Sequence, residues 1–192
     1  MNSMDFDYFN FKSNNKVAKG SLIFSQPLMQ DLNFNRSIIL ICEHNSEGSF
    51  GYKLNDKIKP NSIQKDINPI IKNRLFSGGP VDTSYLNFIH NSQDIEDSEK
   101  IRENVYLGGE LESILDNKLD YKIDVKFFSG YSGWSQNQLE NEIEENSWIV
   151  VNEYDYSIIF KEIDDNFWSK FLSNQGIKNK IFSNYPKDSS MN

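Results

Sequence analysis

The stretch 36–45 constrains the fold more than any other part of the chain. Ile38, Leu40 and Cys42 alternate with Ile39 and Ile41. A strand here therefore carries apolar side chains on both faces, and it must be covered on both sides. Asn45-Ser46-Glu47-Gly48 follows with turn chemistry, and residues 49–54 can return beside the first strand. A hairpin over 36–55, buried on both faces, is the framework that the rest of the chain has to enclose.

The remaining segments supply that cover. Residues 20–25 form a short apolar run stopped by Pro27. Residues 60–68 suit a short helix with Asn61 or Ser62 as cap. Residues 74–76 and 85–90 read as strands around the Gly78-Gly79-Pro80 turn, followed by an acidic loop at 93–100 and a strand at 105–107. Leu111, Ile114 and Leu115 have helical spacing after Gly108-Gly109. A strand at 125–128 leads to Gly130-Tyr131-Ser132-Gly133-Trp134, read as a glycine-rich turn into a helix. Ser135 and Gln138 have the spacing of a capping box, and Trp134 and Leu139 that of a hydrophobic staple. Leu139 and Ile143 mark the inward stripe, leaving Glu140, Glu142, Glu144 and Glu145 as an acidic outer face. Further strands are expected at 148–151 and 157–160. A final helix is expected at 166–174, capped by Asp164 or Asp165 and ended by Gly176. Strands and short helices without a regular alternation indicate an α+β fold.

The 192 residues fit one domain, read as an arm at 1–15, a body at 16–176 and a tail at 177–192. Twenty basic and 28 acidic residues give a net charge of −8. Nucleic-acid affinity rests on Lys and Arg neutralising phosphates, so direct nucleic-acid binding is not expected. The scattered cations at Lys53, Lys57, Lys59, Lys65, Lys72 and Arg74 form no dense run. A single alanine, Ala18, amid abundant Asn, Ile and Lys points to compositional bias, which lowers the weight of individual lysines and asparagines. One cysteine excludes an internal disulfide, and the sequence holds no bilayer-length apolar run and no secretory leader. A cytoplasmic location without membrane contact is the expectation.

Few residues suggest chemistry. Cys42 and His44, two apart on a strand, share a face and form a candidate thiolate–imidazole pair, with Cys42 as the reactive thiol. With Glu43 and His90 they are too few and too scattered for an expected metal site. Gly130-Tyr131-Ser132-Gly133-Trp134 is not a nucleophile elbow, since Trp134 occupies the second glycine position and no histidine follows Ser132. Gly78-Gly79 is left as a possible ligand loop, and no cofactor fingerprint is present.

Several pieces, in order, resemble the YqgE/AlgH family. They are Gly20-Ser21-Leu22-Ile23 with Pro27; Phe34-Asn35-Arg36-Ser37; Glu43-His44-Asn45 with Gly48 and Gly51; Leu54-Asn55; Gly78-Gly79-Pro80-Val81 and His90. The most specific is Gly130-Tyr131-Ser132-Gly133-Trp134 with Gln138-Leu139-Glu140 and Trp148. Departures are Asp56-Lys57 where Arg-Pro is frequent, Asn137 where glycine is usual, and Ser132 where alanine is common. The resemblance implies a single α+β domain with a bent, partly barrel-like sheet flanked by helices. Family members carry the label of transcriptional regulator, and the resemblance brings no catalytic residues. Glu43, His44, Asn45, Gly78, Gly79, His90, Trp134 and Gln138 match recurrent positions, and their polar members are expected around one cleft beside the hairpin. The expected function is that of a regulatory or binding protein acting through a protein or small-molecule partner. The alternatives are an enzyme or thiol redox sensor at Cys42 and His44, and an interaction module using the acidic helix.

Overall fold

The computed structural model describes residues 15–27, 29, 31–63, 66–116, 122–163 and 166–174. Residues 1–14 of the arm expected at 1–15, the cap at Asp164 or Asp165, Gly176 and the tail lie outside the described residues. The predicted hairpin is present as β2 (Ile38–Asn45) and β3 (Gly48–Lys53), joined by a two-residue loop. Asn45 Oδ1 accepts from the Glu47 N–H at 2.8 Å and closes the turn.

Around it stand β1 (Leu22–Ser25), β4 (Leu75–Ser77), β5 (Val81–His90), β6 (Glu99–Arg102), β7 (Val105–Leu107), β8 (Val125–Ser135) and β9 (Trp148–Val151). They form one open, mainly antiparallel sheet in the order β6-β7-β5-β8-β3-β2-β1-β9, with β4 parallel to β8. The helices are α1 (Pro69–Asn73), α2 (Leu111–Leu115), α3 (Gln138–Glu144), α4 (Ser157–Phe160) and α5 (Phe167–Asn174). The α+β class is therefore confirmed.

The sheet bends along β8, which pairs with β4 and β5 in its first half and with β3 in its second. The central core lies between the two halves. Leu22, Leu40, Cys42 and Tyr52 meet Ile89, Val105 and Phe128 there, closed at one end by Ile159 and Trp168. Trp168 Nε1 donates to the Ser25 carbonyl at 3.1 Å. The outer face of one half (Ile23, Ile39, Ile41, Val150) packs on Leu139 of α3 with Trp134, Trp148 and Phe34. The outer face of the other half (Phe88, Val125, Phe127) packs on Ile71 and Ile114 from α1 and α2. Each fully buried Ile or Leu contributes about 1.5–3 kcal/mol, which explains why the doubly apolar β2 lies inside the sheet.

Four local expectations are corrected. The Gly130–Trp134 motif is part of the eleven-residue strand β8 and forms no turn. Its glycine is needed because Gly130 has φ +71°, and a Cβ there would lie 2.6 Å from the Gly79 carbonyl. Among the described residues of 60–68, the expected helix is a 3-10 turn over Pro60–Ser62; the α-helix begins at Pro69, where Asn68 Oδ1 caps the Ile70 N–H. Residues 157–160 are helical, because Asp155 Oδ1 captures the Ser157 N–H at 2.9 Å and starts a turn. The Ser135–Gln138 capping box is half made. Gln138 Oε1 accepts from the Ser135 N–H and hydroxyl, but β8 runs on to Ser135, and Asn137 enters α3 with φ +59°.

Candidate functional site

Two residues decide which side chains meet. In β2, Ile41 opposes Gly51 but Glu43 opposes Phe50, so Cys42 has no partner of its own across the ladder. This bulge inverts the alternation. Before it, Ile38, Leu40 and Cys42 face the central core and Ile39 and Ile41 face α3. After it, Glu43 joins the core side and His44 turns to α3. Gly130 does the same in β8. Phe128 belongs to the central core, and beyond Gly130 it is Tyr131 that packs there while Trp134 belongs to the α3 side. The registers agree. Glu43, Phe50 and Gly133 lie in one row across three strands, and His44, Ser49 and Trp134 in the next.

The core-side row opens into a cleft of about 1030 Å³ between the hairpin, β5, β7 and β8. Aromatic rings form its floor. Phe50 contacts Tyr52 and Tyr131 edge-on at 6.0 Å, and Tyr52 stacks on Phe128 at 4.5 Å. Gly133 opposes Phe50 without a side chain, and a Cβ on Gly108 would meet nothing within 4 Å. Gly108 leaves open space at the border, whereas a Cβ on Gly133 would press on the Tyr131 ring at 3.1 Å, so that glycine lets the ring lie across it. At its border β5 breaks register between Val81 and Leu86, and the intervening Tyr85 is 68% exposed. Among the described residues, Glu43, Glu47 and Asp82 are the charged members of the lining, which holds no described Lys, Arg or His.

The α3 side is closed. His44 Nδ1 lies 2.7 Å from Ser49 Oγ, and its Nε2 lies 3.7 Å from Glu140 Oε1. Glu142 Oε2 accepts from the indoles of both Trp134 (2.9 Å) and Trp148 (2.7 Å). Its Oε1 accepts from Gln138 Nε2 at 2.9 Å. Sequence reading placed Glu142 on the acidic outer face and missed this role. The position four residues beyond Gln138 and the two flanking tryptophans were the available signal.

The predicted set is thus divided. Glu43 and Asn45 line the cleft, and Asn45 Nδ2 donates to Glu43 Oε1 at 2.6 Å. Trp134 borders the cleft, but its ring packs against Phe34 and Trp148 on the other face. His44 and Gln138 belong to the α3 side. Gly78 and Gly79 are backbone contacts at the bend, where added Cβ atoms would lie 2.3 Å from Gly130 and Tyr131 backbone atoms. The Gly78 carbonyl accepts from Lys53 N–H and from Ser132 Oγ, which leaves the pair no room as a ligand loop. His90 is buried. Its Nε2–H donates to the Gly108 carbonyl at 2.9 Å and its Nδ1 accepts from the Ser92 N–H at 3.3 Å. Burial holds the imidazole below its usual pKa, hence neutral, and its bond fixes Gly108 at the border of the cleft.

The shared face expected for Cys42 and His44 is corrected by the bulge, which sends them to opposite faces. Cys42 is 1% exposed and burial pushes its thiol pKa up, the reverse of an activated thiolate. Lys126 was not singled out in the sequence. It is buried in the core, donates to the Leu54 carbonyl at 3.1 Å and sits 4.4 Å over the Phe76 ring. Desolvation, with Lys57 nearby, lowers its pKa to about 7.

Comparison with known proteins places the chain in a family and supports its fold. Residues 22–180 match the AlgH-like family model, DUF179. A UPF0301 protein of Bacteroides thetaiotaomicron is 33% identical, covering 96% of this chain and 97% of that protein. One from Cytophaga hutchinsonii is 36% identical over 92% of this chain and all of that protein. A crystal structure from Corynebacterium diphtheriae superposes with a TM-score of 0.73 at 22% identity, covering 95% of this chain and 100% of the other. The solution structure of the AlgH protein from Pseudomonas aeruginosa gives 0.65 at 20%, covering 90% and 98%. At those identities the structural likeness concerns the fold. The match to the family model over most of the chain, with relatives above 30% identity along nearly their whole length, means that this chain belongs to the AlgH-like (UPF0301) family.

Proposed function

We propose that this is a cytoplasmic regulatory or binding protein that takes a protein or small-molecule partner in the cleft between the hairpin, β5, β7 and β8. The observation that carries this reading is the pairing of an aromatic floor with an open, glycine-made space. Tyr52 and Phe128 belong to the core, whereas Phe50 and Tyr131 are half-buried and still reach solvent. Concave sites with apolar walls and a few polar groups are the usual form of binding pockets. Among the described residues the lining carries carboxylates and no cation, which disfavours a phosphate backbone as the occupant and any regulation by direct DNA contact. The redox-sensor alternative has a buried, protonated thiol against it.

The experiment is a thermal-shift screen of small molecules and peptides on the whole chain, repeated on Tyr85→Asp. A ligand that binds only the native state raises the melting temperature by mass action. Hits that stabilise the parent protein and not the variant support the cleft. Hits indifferent to Tyr85→Asp, or tight sequence-selective DNA binding at physiological salt, contradict it.

A further inference from the structure

The cleft also says what kind of partner it fits. Three carboxylates stand in its lining, Glu43, Glu47 and Asp82, all on exposed residues. Among the described residues, none of them lies within 4 Å of a Lys, Arg or His nitrogen. The ion pairs that the described chain does make to Lys lie elsewhere: Asp56 pairs with Lys53 at 2.6 Å, Glu162 with Lys57 and Glu99 with Lys19. The charge that the described lining presents beside the aromatic floor is therefore negative and is not neutralised by a cation of the described chain.

The shape supplies the second constraint. At about 1030 Å³ and open along one side, the space stands at the upper end of the range of small-molecule pockets and leaves room for a chain to pass through. It suits an extended stretch of chain that seats one or two side chains on Phe50 and Tyr131 and lays others along the rim. Tyr85, two-thirds exposed at the border, offers a further ring for such a contact. Tyrosine at a cleft border contributes large contact area and one hydroxyl, which is why it is enriched at binding surfaces. Lys or Arg on the entering chain gains from the carboxylates and from the ring faces together.

Resting on the reading of the cleft as the binding site, we infer that its partner is a basic polypeptide segment, with an aromatic or aliphatic anchor flanked by Lys or Arg. The anchor lies on the Phe50 and Tyr131 rings beside the open space at Gly108, and the cations meet Glu43, Glu47 and Asp82. Electrostatic complementarity of this kind contributes mainly to association rate and partner choice, with the anchor holding the complex.

The test is selection from a display library of random short peptides on the immobilised full chain. It is followed by affinity measurement on three proteins: the parent, Tyr85→Ser, and the triple variant Glu43→Gln/Glu47→Gln/Asp82→Asn. Asn at 82 suits the left-handed backbone there, φ +47°, so the triple variant keeps its fold. The expected result is enrichment of net-positive peptides with an aromatic or aliphatic centre. They should bind the triple variant roughly tenfold more weakly and the parent more weakly as salt rises. Peptides that lose affinity on Tyr85→Ser but are neutral or acidic, or unaffected by the triple variant, would overturn the basic-segment inference and leave the cleft reading standing. Peptides indifferent to Tyr85→Ser, or no enrichment at all, would overturn both. A Phe50→Ala variant with an unchanged circular dichroism spectrum checks that the loss comes from the floor of the cleft.

Discussion

Glu142 and Glu43 lie on opposite sides of the same sheet and have opposite fates. Glu142 is saturated: two indoles and one carboxamide donate to its two oxygens. Among the described residues, Glu43 accepts only from its neighbour Asn45 and otherwise borders the cleft. One face has used its polar groups to fix α3 against β8 and β9. The other has left them available. The polar residues singled out by the resemblance therefore split into a half that is bonded to α3 and a half that lies on the cleft proposed for binding, and the bulge at Cys42 is where the division is made.

The strongest way to break this contrast is at Glu142. Glu142→Ala leaves the indole N–H groups of two buried tryptophans without acceptors, each costing about 1–3 kcal/mol. A loss of about 3 kcal/mol is expected in urea unfolding, and Glu142→Gln should retain part of it. An effect below about 0.5 kcal/mol would remove the structural role assigned to this carboxylate.

Lys126 gives the next largest effect. Its folded pKa is depressed to about 7 from an ordinary value near 10.5, so between those values the unfolded chain binds the extra proton. Its contribution therefore rises with pH across pH 7–10, by up to ~1.4 kcal/mol per unit. Cys42 opposes this above its unperturbed value near 9, because burial keeps the folded thiol protonated. The clean measurement is the stability difference between parent and Lys126→Met over pH 7–9, which should shift in favour of the parent as pH rises. A flat difference would mean that water or rearrangement solvates the ammonium.

Cysteine alkylation sharpens the division by the bulge. Cys42 should react only as the structure opens, and His44→Ala should leave the rate per opened molecule unchanged. A native-state reaction that falls when His44 is removed would place the two on one face. The smallest effect belongs to Glu43. Glu43→Gln should change stability by less than about 0.5 kcal/mol, as expected of an exposed group that supports no other.

Much of the fold was legible because it depends on local alternation. The apolar run from Ile38 to Cys42 could only be a covered strand, and Leu111, Ile114 and Leu115 could only be one helix face. What was not legible depends on partner strands. Nothing local to Cys42 or Gly130 signals that the alternation inverts there, since a bulge is a mismatch between two ladders. The glycines at 130–134 read as a turn because glycine serves equally where a neighbouring backbone passes too close for a Cβ. Ser157–Phe160 contains an apolar run too short for periodicity to separate strand from helix, and Asp155 decides it. For the site, the Glu43-His44-Asn45 triplet was visible, but the inversion alone determined which of its members reach the cleft.

The most direct measurement of the two-sided account is a nuclear magnetic resonance titration of the full chain with a selected basic peptide. The account predicts shifts at the amides of Gly48, Gly108 and Gly133, which line the cleft, while the indole N–H signals of Trp134 and Trp148 stay in place. Shifts centred on those indoles and on α3, with the three glycine amides unmoved, would contradict it.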